Sequence, residues 1–544
     1  MSDLAMRAGQ RAVPTQTQQE YHRPQLAMTA SPATIAVFGI LLTGGIGLVF
    51  YSLVRDMDAA HAPPLALSAF LFLGIALLIA LGFEFVNGFH DTANAVATVI
   101  YTHSLPAQAA VIWSGLWNLI GVITSSGAVA FSITSLLPVE LILHVGSNAG
   151  YAMIFALLIA AIVWNLGTWL LGIPASSSHT LIGSIIGVGV ANQLMHLSSN
   201  GTSGVDWAQA MNVFKALLFS PLVGFILSML LLLVMKVLIR RRALYQAPTS
   251  DGPPPLWVRS LLVLTCTGVS FAHGSNDGQK GMGLIMLILI GAVPTAYALN
   301  RALSESATPA FLQSMEAGAQ LFDQRAARLT VDARHAPSII ETGVRTRHVN
   351  DPHFYAAMAQ LTRTLADQVK GHGAIARVPA AAVNNVRNDM YLMSEAVRVM
   401  KDTHVFGRDA ATLSAFRATL DNGTRYIPLW VKISVAIALG LGTLVGWKRI
   451  VVTVGERIGK DHLTYGQGAA AELVAAATIM VADRWGLPVS TTHVLSSGVA
   501  GTMVANGAGL QWSTVRSIVL AWVLTLPAAI GLSAALFYAF SAML

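Results

Sequence analysis

Charged residues and cysteine are both scarce in this sequence of 544 residues, and each scarcity excludes a class of protein. Only 11% of the residues are charged while 54% are hydrophobic, a balance that suits lipid rather than water. The single cysteine, Cys266, excludes an intramolecular disulfide and a cysteine-based zinc site. Nothing matches the phosphate-binding pattern G-x-x-x-x-G-K-[ST], so an ATP-binding domain of this kind is not expected.

The N-terminal segment also lacks the short apolar core and small-residue cleavage site of a signal peptide. Because residues 1–31 are rich in Gln, Arg and Pro, they predict a disordered tail. The formal charge of +7 raises the question of nucleic-acid binding, but basic clusters such as 240–242 lie in loops. Cytoplasmic loops of membrane proteins carry this excess, so no nucleic-acid partner is expected.

Long apolar runs dominate what is present, and the mean hydropathy is +0.61. A run of roughly 20 apolar residues crosses the hydrocarbon core of a bilayer as a helix. Such runs lie near 33–54, 66–86, 108–136, 152–172, 213–239, 429–447 and 515–543. Shorter apolar pieces flank polar motifs, which predicts interrupted helices beside intact ones. The sequence therefore predicts an all-α polytopic membrane protein.

An internal repeat organises the membrane part. FVNGFHDTANAVA (85–97) aligns with FAHGSNDGQKGMG (271–283) at an offset of 186, and GIPASSSHTLIG (172–183) aligns with GLPVSTTHVLSS (486–497) at an offset of 314. The offsets differ by 128, close to the length of a polar, helix-like stretch at 301–427. We interpret that stretch as a soluble helical insertion in the second of two related halves; its side of the membrane is undecided.

The predicted organisation follows from these boundaries. It comprises a disordered tail (1–31), the first membrane half (32–240), a basic and Pro-rich linker (241–256), the first part of the second half (257–300), the soluble helical insertion (301–427) and the second part of the second half (428–544). Duplicated halves with helices broken at equivalent places are typical of secondary transporters, whose site lies between the repeats.

Each half carries a hydroxyl triplet after a proline. Hydroxyl groups at a helix start either cap free N–H groups or, with those N–H groups, bind an oxyanion. A histidine follows each triplet, either as a structural side chain or as a proton or phosphate contact. Gly88 and Gly274 are expected to allow a helix break at the aspartate motifs. The residues concerned are Ser176, Ser177, Ser178 and His179 in the first half, and Ser490, Thr491, Thr492 and His493 in the second.

Asp91 and Asp277 recur at equivalent positions inside apolar sequence. A carboxylate in a membrane is rare and usually lines a pathway, although it can also serve as a structural partner. Beside an anion it adds like charge, so a cation must accompany the anion. Protons, sodium ions or a divalent metal each satisfy this requirement. Glu84 and Glu472 are further intramembrane acids for which a coupling and a structural role are equally open, whereas Asn118 and Asn165 are expected to join helices by hydrogen bonds.

These four motifs resemble those of the PiT inorganic phosphate transporters, and HDTANAVATVIYT with HGSNDGQKGMG resembles the bacterial low-affinity branch. The resemblance covers roughly 66–300 and 428–544. It implies two inverted repeats with broken helices and re-entrant hairpins, about 10–12 transmembrane segments, and uptake of phosphate by cation symport. It further implies that Asn94 and the hydroxyl triplets contact phosphate and that Asn276 belongs with the aspartates in cation binding.

Two residues depart from the family pattern of Asn-Asp-x-x-Asn in both halves. His90 replaces the first Asn, and Lys280 replaces the last Asn of the second half. An ammonium group attracts phosphate and repels sodium, and a histidine can titrate near neutral pH, so we expect proton coupling. The resemblance also implies that phosphate travels as a neutral complex with a divalent metal such as Mg²⁺, for which Asp91 and Asp277 are the expected ligands. No permanently bound cofactor is expected.

Other functions remain open at this point. A sodium-coupled phosphate or sulfate symporter would use the same fold, and an uncoupled channel would have no need of the buried carboxylates. An HD-type metal phosphohydrolase would use His90 and Asp91 as metal ligands, but the second half has Asn276 and Asp277 there. We therefore expect a transporter rather than an enzyme, working by alternating access in a bacterial inner membrane, as a monomer or a homodimer.

Overall fold

The computed structural model describes residues 31–137, 148–195, 204–248, 252–403 and 409–543, together with Pro24 and Leu26. The predicted tail, 1–31, therefore lies almost wholly outside the described residues. The described ranges contain helices and no strand beyond one isolated bridge between Gly459 and Leu510. The all-α class is confirmed.

The first half contains seven described helices, several of which begin at a side-chain cap. Ser31 Oγ accepts from the Thr34 N–H, and Asp206 accepts from the N–H groups of Ala208 and Gln209. The helices are α1 (Pro32–Ala59), α2 (Leu67–Tyr101), α3 (Ala107–Thr124), α4 (Ala128–Thr134), α5 (Asn148–Leu170), α6 (Ser177–Met195) and α7 (Trp207–Leu238).

The second half starts with another long helix, leaves the membrane part for five helices, and returns. It begins with α8 (Leu256–Ala292) and the short α9 (Pro294–Tyr297). The helices of the insertion are α10 (Thr308–Arg325), α11 (Ala336–Thr346), α12 (Pro352–His372), α13 (Ala380–Asp402) and α14 (Ala410–Thr424). The chain then forms α15 (Leu429–Thr443), α16 (Lys448–Val452) with a π-turn at Thr453–Arg457, α17 (Tyr465–Arg484), α18 (Thr491–Asn506) and α19 (Trp512–Met543).

Seven described helices are long and apolar enough to cross a membrane, namely α1, α2, α3, α5, α7, α8 and α19. The count reaches eight if α14 and α15, which meet at 77°, are taken as one span. The multi-pass membrane character is confirmed. The figure of about 10–12 segments stays a prediction. Helices α6, α17 and α18 are not among the seven, since they are largely buried and carry polar residues of the motifs.

Each of the four helices that carry the repeated motifs packs on a helix of the other half. Helix α2 packs on α15, and its repeat counterpart α8 packs on α3; likewise α6 packs on α19, and its counterpart α18 packs on α7. The closest contacts repeat as well: a Cβ on Gly121 would lie 2.2 Å from the Phe271 oxygen, and one on Gly442 would lie 2.0 Å from the Phe85 oxygen. The related halves are therefore intertwined; their inverted orientation stays a prediction.

The aspartate motifs do not break their helices. Helices α2 and α8 run without interruption through Gly88 and Gly274, so the expected break at these glycines is wrong. A Cβ on either glycine would lie 2.1 Å from a carbonyl oxygen, that of Leu439 or that of Asn118 respectively. These glycines are needed for close helix crossing rather than for flexibility. The interruptions lie instead before the hydroxyl triplets, at 171–176 and 485–490.

The insertion has its own hydrophobic core, in which Phe322, Phe354 and Phe416 are buried. It is joined to the membrane part by an ion pair between Arg398 Nη2 and Asp206 Oδ2 at 2.5 Å. Since Asp206 also caps α7, the insertion contacts the start of the helix that packs on α18. Helix α18 is therefore connected to the insertion indirectly, through α7.

Candidate functional site

The segments 171–176 and 485–490 approach each other as non-helical chain, and each ends at a helix start. We call 171–179 the first hairpin and 485–493 the second hairpin. Ser176 Oγ accepts from the His179 N–H at 3.2 Å, and Ser490 Oγ accepts from the His493 N–H at 3.1 Å. The first hydroxyl of each triplet therefore serves as a helix cap.

Asp91 joins the two hairpins. Ser177 Oγ donates to Asp91 Oδ2 and Thr492 Oγ1 donates to Asp91 Oδ1, each at 2.5 Å. The carboxylate is buried, with His90 Nδ1 at 3.3 Å from Oδ1. The other ring nitrogen of His90 lies 3.2 Å from Thr168 Oγ1. One carboxylate from α2 thus accepts a hydrogen bond from each half of the molecule.

Asp277 has a more highly charged set of partners. Lys280 Nζ lies 2.8 Å from Asp277 Oδ2, and Thr491 Oγ1 donates to the same oxygen at 3.4 Å. Lys280 is fully buried and also donates to Ser177 Oγ at 3.4 Å. The ammonium group therefore balances Asp277 and, through Ser177, approaches Asp91.

His273 completes a cluster that the sequence analysis missed. One ligand atom from each of Asp91, His273 and Asp277 lies within 4.8 Å of the others, an arrangement that could hold a metal ion. His273 Nε2 is 3.4 Å from Asp277 Oδ2, and its Nδ1 is 2.8 Å from Asn118 Oδ1, which orients the ring. The available signal was spacing: His273 precedes Asp277 by four residues and lies on the same helix face.

Several buried oxygens of α2 and α8 have no hydrogen-bond partner among the described residues. These are Glu84 Oε1, Asn87 Oδ1, Asn276 Oδ1 and Asp277 Oδ1. Unpartnered buried oxygens are costly unless a ligand satisfies them, and oxygens are the preferred ligands of hard cations and protons. The Asn276 side chain is held in place by its Nδ2, which donates to the Leu487 oxygen at 3.2 Å.

The two remaining intramembrane acids lie in different surroundings. Glu84 accepts from Asn87 Nδ2 at 3.3 Å and packs directly on Gly281, whose added Cβ would lie 2.2 Å from Glu84 Cγ. Glu472 instead accepts hydrogen bonds from Thr98 and Thr265. Glu84 thus lies beside Lys280, whereas Glu472 forms a separate buried cluster with hydroxyl partners that the sequence analysis also missed.

The histidines after the triplets contact each other. The ring centroids of His179 and His493 are 4.5 Å apart, and His493 stacks on Trp522 at 4.1 Å. The third hydroxyl of the first triplet, Ser178 Oγ, donates to the Val489 oxygen of the other hairpin at 2.8 Å. The hairpins are therefore in direct contact with one another.

The outcomes for the other sequence predictions are mixed. The expected helix-joining bonds are present, since Asn118 bonds His273 and Asn165 Oδ1 accepts from Thr180 Oγ1 at 2.8 Å. The side chain of Asn94 lies outside the described part of the structure, so its predicted phosphate contact stays a prediction. The remaining phosphate and coupling roles are likewise untested by geometry alone.

Buried acids, an ammonium group and hydroxyl-bearing helix starts from two related halves are what a site for an anion with its cation requires. A profile of the phosphate transporter family matches residues 87–533. The chain belongs to the phosphate transporter family. It is therefore a transporter rather than an enzyme, and the resemblance to the PiT transporters is confirmed.

Named relatives within the phosphate transporter family agree with this assignment. The chain is 40% identical over 494 residues to the low-affinity inorganic phosphate transporter PitA of Escherichia coli strain K12, covering 86% of this chain and 97% of that protein. It is 38% identical over 488 residues to PitB of the same strain, with the same coverage. A solved structure titled "The sodium-dependent phosphate transporter" aligns with 87% of this chain and 100% of that one, at a TM-score of 0.47 and 19% identity.

Proposed function

We propose that this protein takes up inorganic phosphate together with protons across a bacterial inner membrane, with phosphate carried as a complex with a divalent metal. Family membership and the names of the relatives support phosphate as the substrate. The observation that carries the finer proposal is the buried cluster of Asp91, His273 and Asp277 beside the hydroxyls of both hairpins.

The charges of the site favour a neutral cargo. Ionised Asp91 and Asp277 against Lys280 leave one net negative charge in a buried site. Doubly charged phosphate alone would raise the negative charge further in a low dielectric, which is unfavourable. A metal hydrogen phosphate complex adds no charge. In this proposal Asp91, His273 and Asp277 contact the metal, while Ser177, Thr491 and Thr492 contact the phosphate oxygens.

Lys280 supports protons over sodium as the coupling ion. Its ammonium group is fully buried and lies 2.8 Å from Asp277 Oδ2, where a sodium ion would otherwise find a carboxylate ligand. A fixed positive charge at that distance repels a bare sodium ion, whereas the proposed divalent metal enters with its charge neutralised by phosphate. A proton can bind instead at a lone pair of an oxygen such as Glu84 Oε1. We propose Glu84 and Asn276 beside Asp91 and Asp277 as the residues concerned with coupling, with His90 and Glu472 as further candidates.

The proposed alternating access follows from the hairpins. They are the interrupted elements of the membrane part and meet at Asp91, so their separation would open the site. Sodium-coupled phosphate or sulfate symport is the second candidate. The phosphohydrolase alternative lacks support, because the metal cluster contains His273 rather than His90.

Uptake of labelled phosphate into proteoliposomes tests the proposal. The purified protein is given an inward pH gradient with or without sodium, and with or without magnesium. We expect accumulation that is driven by protons, does not require sodium, and rises with magnesium. Strict dependence on sodium would contradict the coupling assigned to Lys280, and accumulation of sulfate in place of phosphate would contradict the substrate.

A further inference from the structure

A polar cavity lies outside the transport site, between the insertion and the second hairpin. Its volume is about 340 Å³, the size of a small-molecule site. Trp485 and Gly486 of the second hairpin form one wall, and Gln209 of α7 forms another. The insertion supplies all the charged side chains that line it. We call this cavity the vestibule.

The lining of the vestibule is strongly basic. Arg398, Arg417 and Arg425 line it, and Asp421 is the one acidic residue among the described residues that does so. Three guanidinium groups converging on one small cavity are an arrangement that binds oxyanions, because each presents parallel N–H donors.

Two of these arginines are neutralised by acids. Arg398 Nε lies 2.6 Å from Glu395 Oε2, and its Nη2 pairs with Asp206. Arg425 Nη2 lies 3.0 Å from Glu395 Oε1, and its Nε lies 3.1 Å from Asp421 Oδ1. The pair with Asp206 holds the insertion against the membrane part, and the pairs within the insertion fix the positions of the two guanidinium groups.

Arg417 is the least compensated of the three. The acid paired with it is Asp421, whose Oδ2 is 3.7 Å from Arg417 Nε and whose other oxygen already binds Arg425. Burial lowers the pKa of Arg417, and the neighbouring Arg425 and Arg398 lower it further, while Asp421 and Glu395 oppose the change. A bound oxyanion would raise this pKa by supplying a negative charge beside the guanidinium group.

The vestibule adjoins the transport site through a few residues of chain. Trp485 and Gly486 line it, and the next residue, Leu487, accepts the hydrogen bond from Asn276 beside Asp277. A Cβ on Gly486 would lie 3.2 Å from the Ala128 oxygen, so the second hairpin closes on α4 at this point. The second hairpin therefore contacts both the vestibule and the transport site.

We infer that the vestibule binds inorganic phosphate at a site distinct from the transport site, through the guanidinium groups of Arg417, Arg398 and Arg425. The insertion thereby supplies phosphate binding at one opening of the transporter. The inference rests on phosphate being the substrate, as proposed above, but it concerns residues that the transport mechanism does not use.

Protection of an introduced cysteine tests binding directly. Asn422 is exposed and lines the vestibule, and the one native cysteine, Cys266, is buried. Asn422→Cys is labelled with a thiol reagent in detergent without added phospholipid, with and without inorganic phosphate. The same experiment is repeated with Asp91→Asn, which removes the transport-site carboxylate. We expect phosphate to slow labelling about fivefold in both backgrounds.

Arg417→Gln provides the matched loss of charge, and Arg377→Gln, an exposed arginine of the insertion outside the vestibule, is its control. We expect Arg417→Gln to abolish protection and raise the KM for uptake about fivefold at nearly constant maximal rate, with Arg417→Lys retaining partial protection. Arg377→Gln should match the wild type.

The inference is wrong if protection disappears with Asp91→Asn, if Asn422→Cys cannot be labelled without phosphate, or if Arg417→Gln keeps both protection and KM. Protection that appears only when anionic phospholipid is added would mean that a headgroup, not free phosphate, occupies the vestibule. Absence of phosphate uptake by the wild type would contradict the proposed function instead, and the labelling experiment can be scored independently of it.

Discussion

The two hairpins have closely similar sequences and yet differ in what surrounds them. In the first, Thr453 Oγ1 donates to the Gly172 oxygen at 2.7 Å and Arg449 Nη1 donates to the Leu170 oxygen at 2.5 Å. The repeat equivalents Leu171 and Trp485 are similarly exposed, at 72% and 73%, but in the second hairpin Trp485 and Gly486 border the vestibule. Carbonyl groups at or just before the first hairpin accept direct hydrogen bonds, whereas the second hairpin borders a cavity that the insertion also lines.

This difference teaches that a sequence repeat fixes the chemistry of a site but not its access. Ser177 and Thr491 are repeat equivalents, and each donates to an aspartate. The segments leading to them have no such equivalence, because the insertion interrupts one half only. The same motif therefore meets a direct hydrogen bond from Thr453 on one hairpin and a basic cavity on the other.

Asp91→Asn should have the largest effect, since Asp91 is the carboxylate that both hairpins share. An amide can accept at one atom only, so one of the hydrogen bonds from Ser177 and Thr492 is lost, together with the negative charge. We expect uptake to fall to about 1% of the wild-type rate, while the purified protein remains monodisperse. Asp461→Asn, an exposed carboxylate, is the control. Near-normal uptake by Asp91→Asn would remove this residue from the mechanism.

The second prediction compares the hairpins directly. Gly172 and Gly486 have φ angles of +66° and +65°, so an alanine at either is strained by about 1–2 kcal/mol. At Gly172 the new Cβ meets nothing closer than 3.9 Å, but at Gly486 it lies 3.2 Å from the Ala128 oxygen. We expect Gly486→Ala to lower the uptake rate several-fold more than Gly172→Ala, at an additional cost of about 1 kcal/mol. Equal effects in the two variants would mean that the closure of the second hairpin on α4 has no functional weight.

The smallest effect on transport is expected from Asp389→Asn in the insertion. Burial raises the pKa of Asp389 to about 6. Because the folded state binds the proton more tightly, the stability of the insertion should fall as pH rises from about 4 through 6. The variant should remove this pH dependence and stabilise the insertion by about 1–2 kcal/mol at pH 7, with uptake nearly unchanged. Thermal unfolding measured across this pH range checks the sign; a variant that keeps the wild-type slope contradicts it.

The sequence predicts the features that depend on local pattern. The repeated motifs identify Asp91 and Asp277, the prolines and hydroxyls place the starts of two helices, and the polar stretch identifies the insertion. Whether a hydroxyl group caps a helix or donates to an aspartate depends on where the side chain points in the folded protein. The motif alone does not give that direction. Ser176 and Ser177 are neighbours in the chain but serve these two different purposes.

Features that depend on helices crossing could not be predicted. His273 joins the acids only because α2 and α8 pack together, and Glu472 finds Thr98 and Thr265 on those same two helices. The role of Gly88 and Gly274 could not be predicted for a related reason. A glycine in a helix can mark a bend or a close neighbour, and only the position of Leu439 relative to Gly88 distinguishes these cases.

The uninterrupted course of α2 and α8 has a mechanical consequence. Gly88 and Gly274 allow these helices to pack against the backbones of α15 and α3. The acids therefore lie on rigid helices that contain no break. The hydroxyl donors lie on the hairpins, which do contain non-helical segments. Under the proposed alternating access, the acidic side chains on α2 and α8 stay in place. The phosphate is released when either hairpin moves away from them.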